Sequence, residues 1–544
     1  MKKCFFLFLS VFLPGALFAQ VVWSSGASDP VYSLLDELAG MKAISLNSAV
    51  LPLSRNVIAE KLYNASLHPE FLTPRQNADL RFFLKEYTAE LPAAASDTLL
   101  QLVRKPGMHS SLGYNPVGFN LLKKNFFLSV RPLIGLTGII NQNGSVTKLQ
   151  GGGKLYGSLG KHFGFYFKLV QTRESEPLVT PVYFTPEPGT IWASASDGTV
   201  TNTEWAGGIS CSWKWGDISI RKDRPVWGEA EHGSNILSGR EPSVPFLQLH
   251  VKPAVWIEFS YIHGQLHSET VDSSRSTFDP GSEHIVYQKK YLAANLLTVF
   301  PWKSLSFSAG NSIVYNEDGF DFVYFIPVLF FKSVDQTFGG LNSTNGQNNQ
   351  LFFTLSWRGI RHLHLYTSVF IDDFKMKAFL SKGQHNEMSL KAGFKLSGFP
   401  FRNISLSAEY TGTNPMTYRH YVESITYSSD GYCLGSYLGD NAHELFVRLD
   451  ARPLRGLNIY GSWVFIEHGE QQTNLLANNY TMPVLQNIIY RNNTFEAGIS
   501  YEILHETLLF AEFMHSVNQG DVQYYPAVFH GTTNSFAAGF SVGF

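Results

Sequence analysis

Residues 387–410 read EMSLKAGFKLSGFPFRNISLSAEY. Met388, Leu390, Ala392, Phe394 and Leu396 alternate with Glu387, Ser389, Lys391, Gly393 and Lys395. Beyond Gly398-Phe399-Pro400 the pattern resumes, with Ile404, Leu406, Ala408 and Tyr410 set against Ser405, Ser407 and Glu409. A period of two puts apolar side chains on one face of a strand and charges on the other. Two further stretches repeat it: Leu445, Val447 and Leu449 against Glu444, Arg448 and Asp450, then Phe495, Ala497, Ile499 and Tyr501 against Glu496, Ser500 and Glu502. A soluble sandwich turns the apolar face inward, whereas a membrane barrel turns it to lipid and lines its lumen with the charges.

Length and ends separate the two. Segments of about ten residues match a tilted strand crossing a bilayer and exceed the five or six usual in soluble sheets. Tight turns at Trp215-Gly216 and Pro453–Gly456 contrast with long polar stretches at 174–201, 268–283, 333–349, 412–441 and 468–490. Short turns on one rim and long loops on the other is the outer-membrane arrangement. From residue 109 onward there is room for about eighteen antiparallel strands, at about 24 residues for each strand and its connection. The last segment carries Phe536, Ala538, Phe540, Val542 and Phe544 on one face. A strand ending on an aromatic is the form that outer-membrane insertion machinery receives. The expected fold is therefore an all-β transmembrane barrel.

Composition agrees. The 544 residues are 44% hydrophobic, 14% aromatic and only 16% charged, with net charge −2. Soluble domains average about 25% charged residues. The near-zero balance excludes a basic nucleic-acid binder, and the aromatic content excludes a disordered chain. Past the first 19 residues no apolar run approaches the roughly 18 needed for a membrane helix. Met1-Lys2-Lys3 followed by the apolar Cys4–Ala19 reads as a signal peptide, residues 1–19. That makes the mature chain extracytoplasmic, with Cys211 and Cys433 left in it and their pairing open.

Residues 20–105 read as a small periplasmic helical bundle and 106–544 as the barrel. Asp29-Pro30 and Thr73-Pro74 are cap-plus-proline helix starts, and Ser54 heads a third segment. Leu34, Leu35 and Leu38, then Ile58 and Leu62, then Leu80, Phe83, Leu84 and Tyr87 form apolar stripes at helical spacing. So small a bundle must lean on something larger.

Catalytic signatures are missing from the sequence. There is no C-x-x-C pair, and His443-Glu444 and His505-Glu506 lack the second histidine of a zinc helix. Gly539-Phe540-Ser541-Val542-Gly543 matches a nucleophile elbow in letters only, because no helix can follow it. No catalytic residue, metal ligand or cofactor is expected. A Ser/His pair at the membrane rim would be needed for the remote alternative, a barrel-embedded lipid hydrolase. The alternation sends Lys168, Lys214, Arg221, Asp223, Lys391, Glu409, Arg448 and Glu496 inward, as mixed charges that neutralise one another or present a polar wall.

One connection stands apart. Arg221-Lys222-Asp223-Arg224-Pro225-Val226-Trp227-Gly228 runs through His232-Gly233-Ser234 to Ile236-Leu237-Ser238 and Pro242. An indole beside arginine and aspartate suits a sugar ring, offering a flat apolar face and bidentate polar contacts. Trp-Gly before an Ile-Leu pair equally suits a loop packed into the lumen. The pattern W-G-x(4)-G-S-x-I-L-S resembles the capsule assembly Wzi family, as do Leu51-Pro52-Leu53-Ser54, Tyr324-Phe325-Ile326-Pro327, Asn348-Asn349 and Ile371-Asp372-Asp373-Phe374. Glu229-Ala230 departs from the family, where proline or glycine follows Trp-Gly.

The resemblance implies a barrel of about eighteen strands closed by a periplasmic bundle, acting as a lectin-like, non-enzymatic anchor in capsular or surface polysaccharide assembly. The polysaccharide-contacting residues expected on these grounds are Arg221, Asp223, Arg224 and Trp227, with Tyr418 and Tyr421 on a surface loop. The expected partners are outer-membrane lipids, surface polysaccharide and the insertion machinery, around a monomer in the bacterial outer membrane. A diffusion porin is the rival reading. Removing Phe544 is expected to lower the heat-modifiable, folded band sharply when membranes are compared by electrophoresis with and without boiling.

Overall fold

The computed structural model describes residues 21–23, 30–91, 107–111, 117–278, 283–316, 319–339, 347–373, 386–471 and 483–544. The expected signal peptide, Asp29, Phe374 and the boundary at 105/106 lie outside them. Eighteen antiparallel strands close into one ring. They are β1 (Phe126–Asn141), β2 (Gly144–Leu159), β3 (Phe163–Glu174), β4 (Val200–Trp213), β5 (Gly216–Asp223) and β6 (Val244–Ala254). Next come β7 (Ile257–Val271), β8 (Tyr287–Trp302), β9 (Leu305–Tyr315), β10 (Asn348–Trp357), β11 (Leu363–Asp373) and β12 (Glu387–Ser397). The ring ends with β13 (Ile404–Thr413), β14 (Ala442–Ala451), β15 (Leu457–Gly469), β16 (Ile488–Leu504), β17 (Thr507–Gly520) and β18 (Thr532–Val542).

Closure falls between β18 and β1, in register from Phe536 opposite Ile140 to Val542 opposite Ile134. The other half of the same β1 edge, Phe126 to Val130, pairs with a short strand, Gly118–Lys123, which itself pairs with Gly107–Ser111. Pro132, which has no N–H to donate, sits between the two pairings.

Alternation sorts the wall as expected. Ile209, Ile220, Phe495, Ile499 and Phe536 point outward and are exposed, as a lipid-facing band requires. Ser219, Arg221, Ser389, Lys391 and Glu409 point inward and are buried. Lys214 differs from its expected inward position: it sits in the β4–β5 turn, exposed. Trp256, Trp302, Phe399 and Phe401 are exposed at the short-turn end, the aromatic girdle of a membrane interface.

Three helices, α1 (Pro30–Gly40), α2 (Arg55–Ser66) and α3 (Pro74–Glu86), close that short-turn end. Thr73 and Gln76 form a full capping box, whereas Ser54 makes no side-chain cap and instead bridges to Trp23. The apolar stripes bury against one another around Leu35, Leu38, Ile58, Leu62 and Phe83. The bundle does lean on the barrel, through ions. Glu86 meets Arg131 of β1 at 2.8 Å and Arg55 at 3.1 Å, while Arg131 and Lys154 meet Glu506 at 2.8 and 2.7 Å. His505-Glu506 forms the β16–β17 turn, with Phe82 stacked on His505 at 3.5 Å. Glu37 takes Arg75 and Arg452, and Asp36 takes Arg358 at 3.1 Å and Lys395 at 3.0 Å.

Burial alone would raise these three carboxyls. The cations facing them outweigh it: Lys395 and Arg358 at Asp36, Arg452 and Arg75 at Glu37, Arg131 and Arg55 at Glu86 hold all three below the usual carboxylate range. A carboxyl depressed in the folded state contributes stability that is complete above its unfolded pKa of about 4 and is lost as pH falls below it. The bundle is therefore expected to stay docked at neutral pH and to become protease-accessible on acidification below about pH 4, before the hydrogen-bonded barrel unfolds. Limited proteolysis against pH, with heat-modifiability as the barrel readout, checks this.

Candidate functional site

The connection between β5 and β6 leaves the long-loop rim and turns back into the lumen. Its first residues are anchored on the wall. Arg221 donates to Gln248 at 2.8 Å and Tyr166 at 3.1 Å and pairs with Asp223 at 2.7 Å. Its guanidinium also lies 4.4 Å from the Trp23 ring, so the first described residues of the chain are held inside the barrel. Asp223 accepts the Tyr166 hydroxyl at 2.5 Å, and Arg224 reaches Glu204 at 2.6 Å and the Glu241 and Gly189 carbonyls.

Val226-Trp227 then forms the centre of a three-stranded sheet inside the lumen. Leu237-Ser238 pairs on one side, and Val50-Leu51, rising from the bundle between α1 and α2, pairs on the other. Gly228 donates to the Ala49 carbonyl at 2.9 Å, and its φ of +107° with Ser234 Oγ at 2.5 Å from any added Cβ makes glycine the residue that fits. Glu229 accepts from Ser48 at 2.8 Å. The residue that departs from the family pattern thus ties the loop to the bundle segment. Glu231 pairs with Lys395 at 2.8 Å, on the same ammonium that holds Asp36.

Trp227, 1% exposed, packs edge-on against Phe352, and Ile236 and Leu237 fill the space between Phe246, Ile262, Leu292 and Phe370 of the wall. The wall makes room for this plug with inward serines: Ser308, Ser312, Ser368, Ser389 and Ser407 are all buried. Asn235 accepts from Ser368 at 2.5 Å and donates toward the Ser389 carbonyl at 3.2 Å. A second loop, 414–441, seals the outer side: Tyr418 and Tyr427 donate to the Asn235 and Ile236 carbonyls at 2.7 and 3.1 Å, and Ser238 N–H to the Leu434 carbonyl at 2.7 Å.

Of the six expected sugar contacts, Arg221, Asp223, Arg224, Trp227 and Tyr418 are drawn into this lumenal assembly with internal partners. Tyr421 alone stands out, 45% exposed, with its ring tilted against that of His420 at 4.2 Å. Sequence reasoning missed Val50–Leu51 as a lumenal strand. The signal available was the alternate serines of β9 to β13, which suit a filled lumen better than a water-filled one. Cys211 and Cys433 are free.

Among the described residues the hydrolase constellation is not found at the rim. Ser234 donates to the Trp227 carbonyl inside the plug, and His232 pairs with Glu444 at 3.2 Å. Ser356 meets His364 at 2.8 Å with Asp36 at 3.8 Å beyond. That pair, however, is buried under the bundle, and Arg358 holds both Ser356 and Asp36. Among the described residues no group of three or more His, Cys, Asp or Glu could hold a metal.

These features define a class: an eighteen-strand transmembrane barrel with a helical bundle at its short-turn mouth and a lumen filled from both ends. The chain has the fold of Wzi from Escherichia coli, an outer membrane protein involved in group 1 capsule assembly and described as a carbohydrate-binding β-barrel. The two align over 97% of this chain and 100% of that one, with a TM-score of 0.57 and 12% identity. OccAB2 of Acinetobacter baumannii and OccD3 of Pseudomonas aeruginosa align over 76% of this chain and 97% and 91% of theirs, both with a TM-score of 0.42, at 10% and 11% identity; at that level they carry no argument. No family model matches the sequence, and no curated relative does.

Replacing Trp227 by alanine is expected to cost about 3–5 kcal/mol through the cavity it opens. It would lower the temperature at which the folded band converts to the unfolded one. Tyr421→Ala should leave that temperature unchanged.

Proposed function

We propose that the protein is a non-conducting, non-enzymatic barrel of the bacterial outer membrane that binds a surface polysaccharide at its long-loop face and serves in capsule, or other surface glycan, assembly or retention. The observation that carries this reading is the lumenal plug. Val50-Leu51 from below, Val226-Trp227 and Leu237-Ser238 from above, and Tyr418 and Tyr427 over them occupy the space a diffusing solute would need. A function at the outer surface remains, and the likeness to Wzi over the whole chain supports one that concerns carbohydrate.

In this reading the lumen holds shape and the loops hold polymer. Tyr421 offers a ring face to a sugar, the contact that aromatic side chains make best with a polyol carrying C–H groups on one side. Insertion machinery that recognises β18, outer-membrane lipid around the apolar band and surface polysaccharide are its partners, and it works as a monomer.

Planar-bilayer recording tests the first half: the intact protein is expected to give no large steady conductance, and a variant lacking 224–243 to conduct. A large steady conductance from the intact protein would favour the diffusion channel instead. For the second half, Tyr421→Ala is expected to weaken binding of purified surface polysaccharide by a factor of roughly 2 to 10, from about 0.5–1.5 kcal/mol for one aromatic contact. Unchanged binding would remove Tyr421 from the site.

A further inference from the structure

The connection between β9 and β10 does not stay above the rim. Pleat parity shows where it goes. Ile262, Leu292, Leu296, Val314 and Phe352 belong to the cluster around Trp227 and so point into the lumen. The alternate residues Tyr261, His263, Tyr291, Asn295, Asn311 and Tyr315 therefore point outward, to the side where Leu297 and Phe307 lie exposed. All six are nevertheless buried. What covers them is the segment 319–339, which packs Tyr324 and Phe331 against Tyr261, Tyr291 and Tyr315 and ends in the helix α4 (Phe331–Gly339).

The attachment is polar beneath and apolar above. Asn295 and Asn311 face each other across β8 and β9 and are joined at 2.8 Å. Asn295 also donates to the carbonyls of Pro327 and Leu329, both at 2.9 Å, and Asn311 accepts the Phe331 N–H at 2.9 Å. Tyr261 donates to the Tyr324 carbonyl at 2.6 Å. On its other side the stretch 322–330 exposes Phe322 (85%), Val328 (75%), Ile326 and Phe330, and beyond it α4 exposes Lys332, Ser333 and Thr337.

Depth settles the surroundings. Asn295 lies seven residues along β8 from Trp302 at the short-turn rim, roughly 18 Å of height for a strand tilted about 40°. That is inside an apolar band about 25 Å tall. Two asparagines facing hydrocarbon there would be costly, and irregular backbone is tolerated at such depth only where protein buries its polar groups. The segment covers the two asparagines, and they and Tyr261 in turn take its Tyr324, Pro327 and Leu329 carbonyls and its Phe331 N–H. Its apolar outer face continues the lipid-facing row of Leu297, Phe307, Phe353 and Leu355, which makes lipid, and not a second protein, its neighbour.

We propose that residues 322–331 form a strap inserted in the outer leaflet on the outside of the barrel, whose Phe322, Ile326, Val328 and Phe330 are solvated by lipid acyl chains while its backbone seals the Asn295–Asn311 pair. This rests on the barrel spanning a membrane and is independent of what its loops bind. The test places a nitroxide at Val328→Cys in a Cys211→Ser, Cys433→Ser background. The protein is reconstituted in phosphatidylcholine–phosphatidylglycerol vesicles, and collisions with oxygen and with a water-soluble nickel chelate are compared. Ile220→Cys supplies the lipid-facing reference and Tyr421→Cys the aqueous one. The expected result is an oxygen-to-nickel ratio matching position 220 and several-fold above position 421. A ratio matching 421 would put the strap in water, and shielding from both quenchers would mean a protein neighbour; either overturns the proposal. Combining Asn295→Leu with Asn311→Leu, outward changes that lipid accepts, is expected to raise nickel access at 328 while the heat-modifiable band persists. No rise would overturn the sealing role.

Discussion

One ammonium joins the three layers of this molecule. Lys395, projecting inward from β12, pairs with Asp36 of the helical bundle and with Glu231 of the loop that descends from the opposite rim. Arg358 repeats the arrangement, reaching Asp36 and Ser48 while Ser48 holds Glu229. Charges enclosed in a lumen cost several kcal/mol each unless partners answer them. Each layer carries one part of the compensation, so none of the three is electrostatically complete alone. The bundle is thereby specified to sit at one mouth in one orientation, and the loop to occupy one path.

From that constraint the rest of the interior follows. A filled lumen needs small inward side chains where the plug passes, and β9 to β13 supply serine. It needs the plug's own backbone paired, and the three-stranded sheet of Val50-Leu51, Val226-Trp227 and Leu237-Ser238 provides that, with Tyr418 and Tyr427 taking the carbonyls left over. The outer wall obeys the complementary rule, with apolar residues where lipid is the solvent and hydrogen bonds hidden where polar residues face outward.

The barrel was legible in the sequence because its determinant is local. Alternation over ten residues, as in 387–396, survives any tertiary context that keeps one face in lipid. Eighteen strands, the helical front and the cap-plus-proline helix start at Thr73 were readable for the same reason. The site was less so. Trp227 beside Arg224 and Asp223 reads equally as a sugar platform or as a packed loop, and only the position of Ala49, 178 residues earlier in the chain, decides that the indole is enclosed. Pairings across such separations leave no periodic trace. The same holds for the segment around Tyr324–Pro327: its apolar letters fit a strand, a core loop or a surface strap. Asn295 and Asn311, on two other strands, select the last.

The lumenal sheet also has a mechanical meaning. Under the proposed function, a polymer held by the 414–441 loop would pull on the 224–243 loop along the barrel axis, through the Tyr418 and Tyr427 hydrogen bonds. Val226-Trp227 is hydrogen-bonded side by side to Val50-Leu51, whose own chain continues into α2 below. A load entering from outside the cell therefore passes through the lumen in shear to a bundle too wide to follow its strand up through the barrel. The helices at the far end act as the knot that keeps the cord from pulling through.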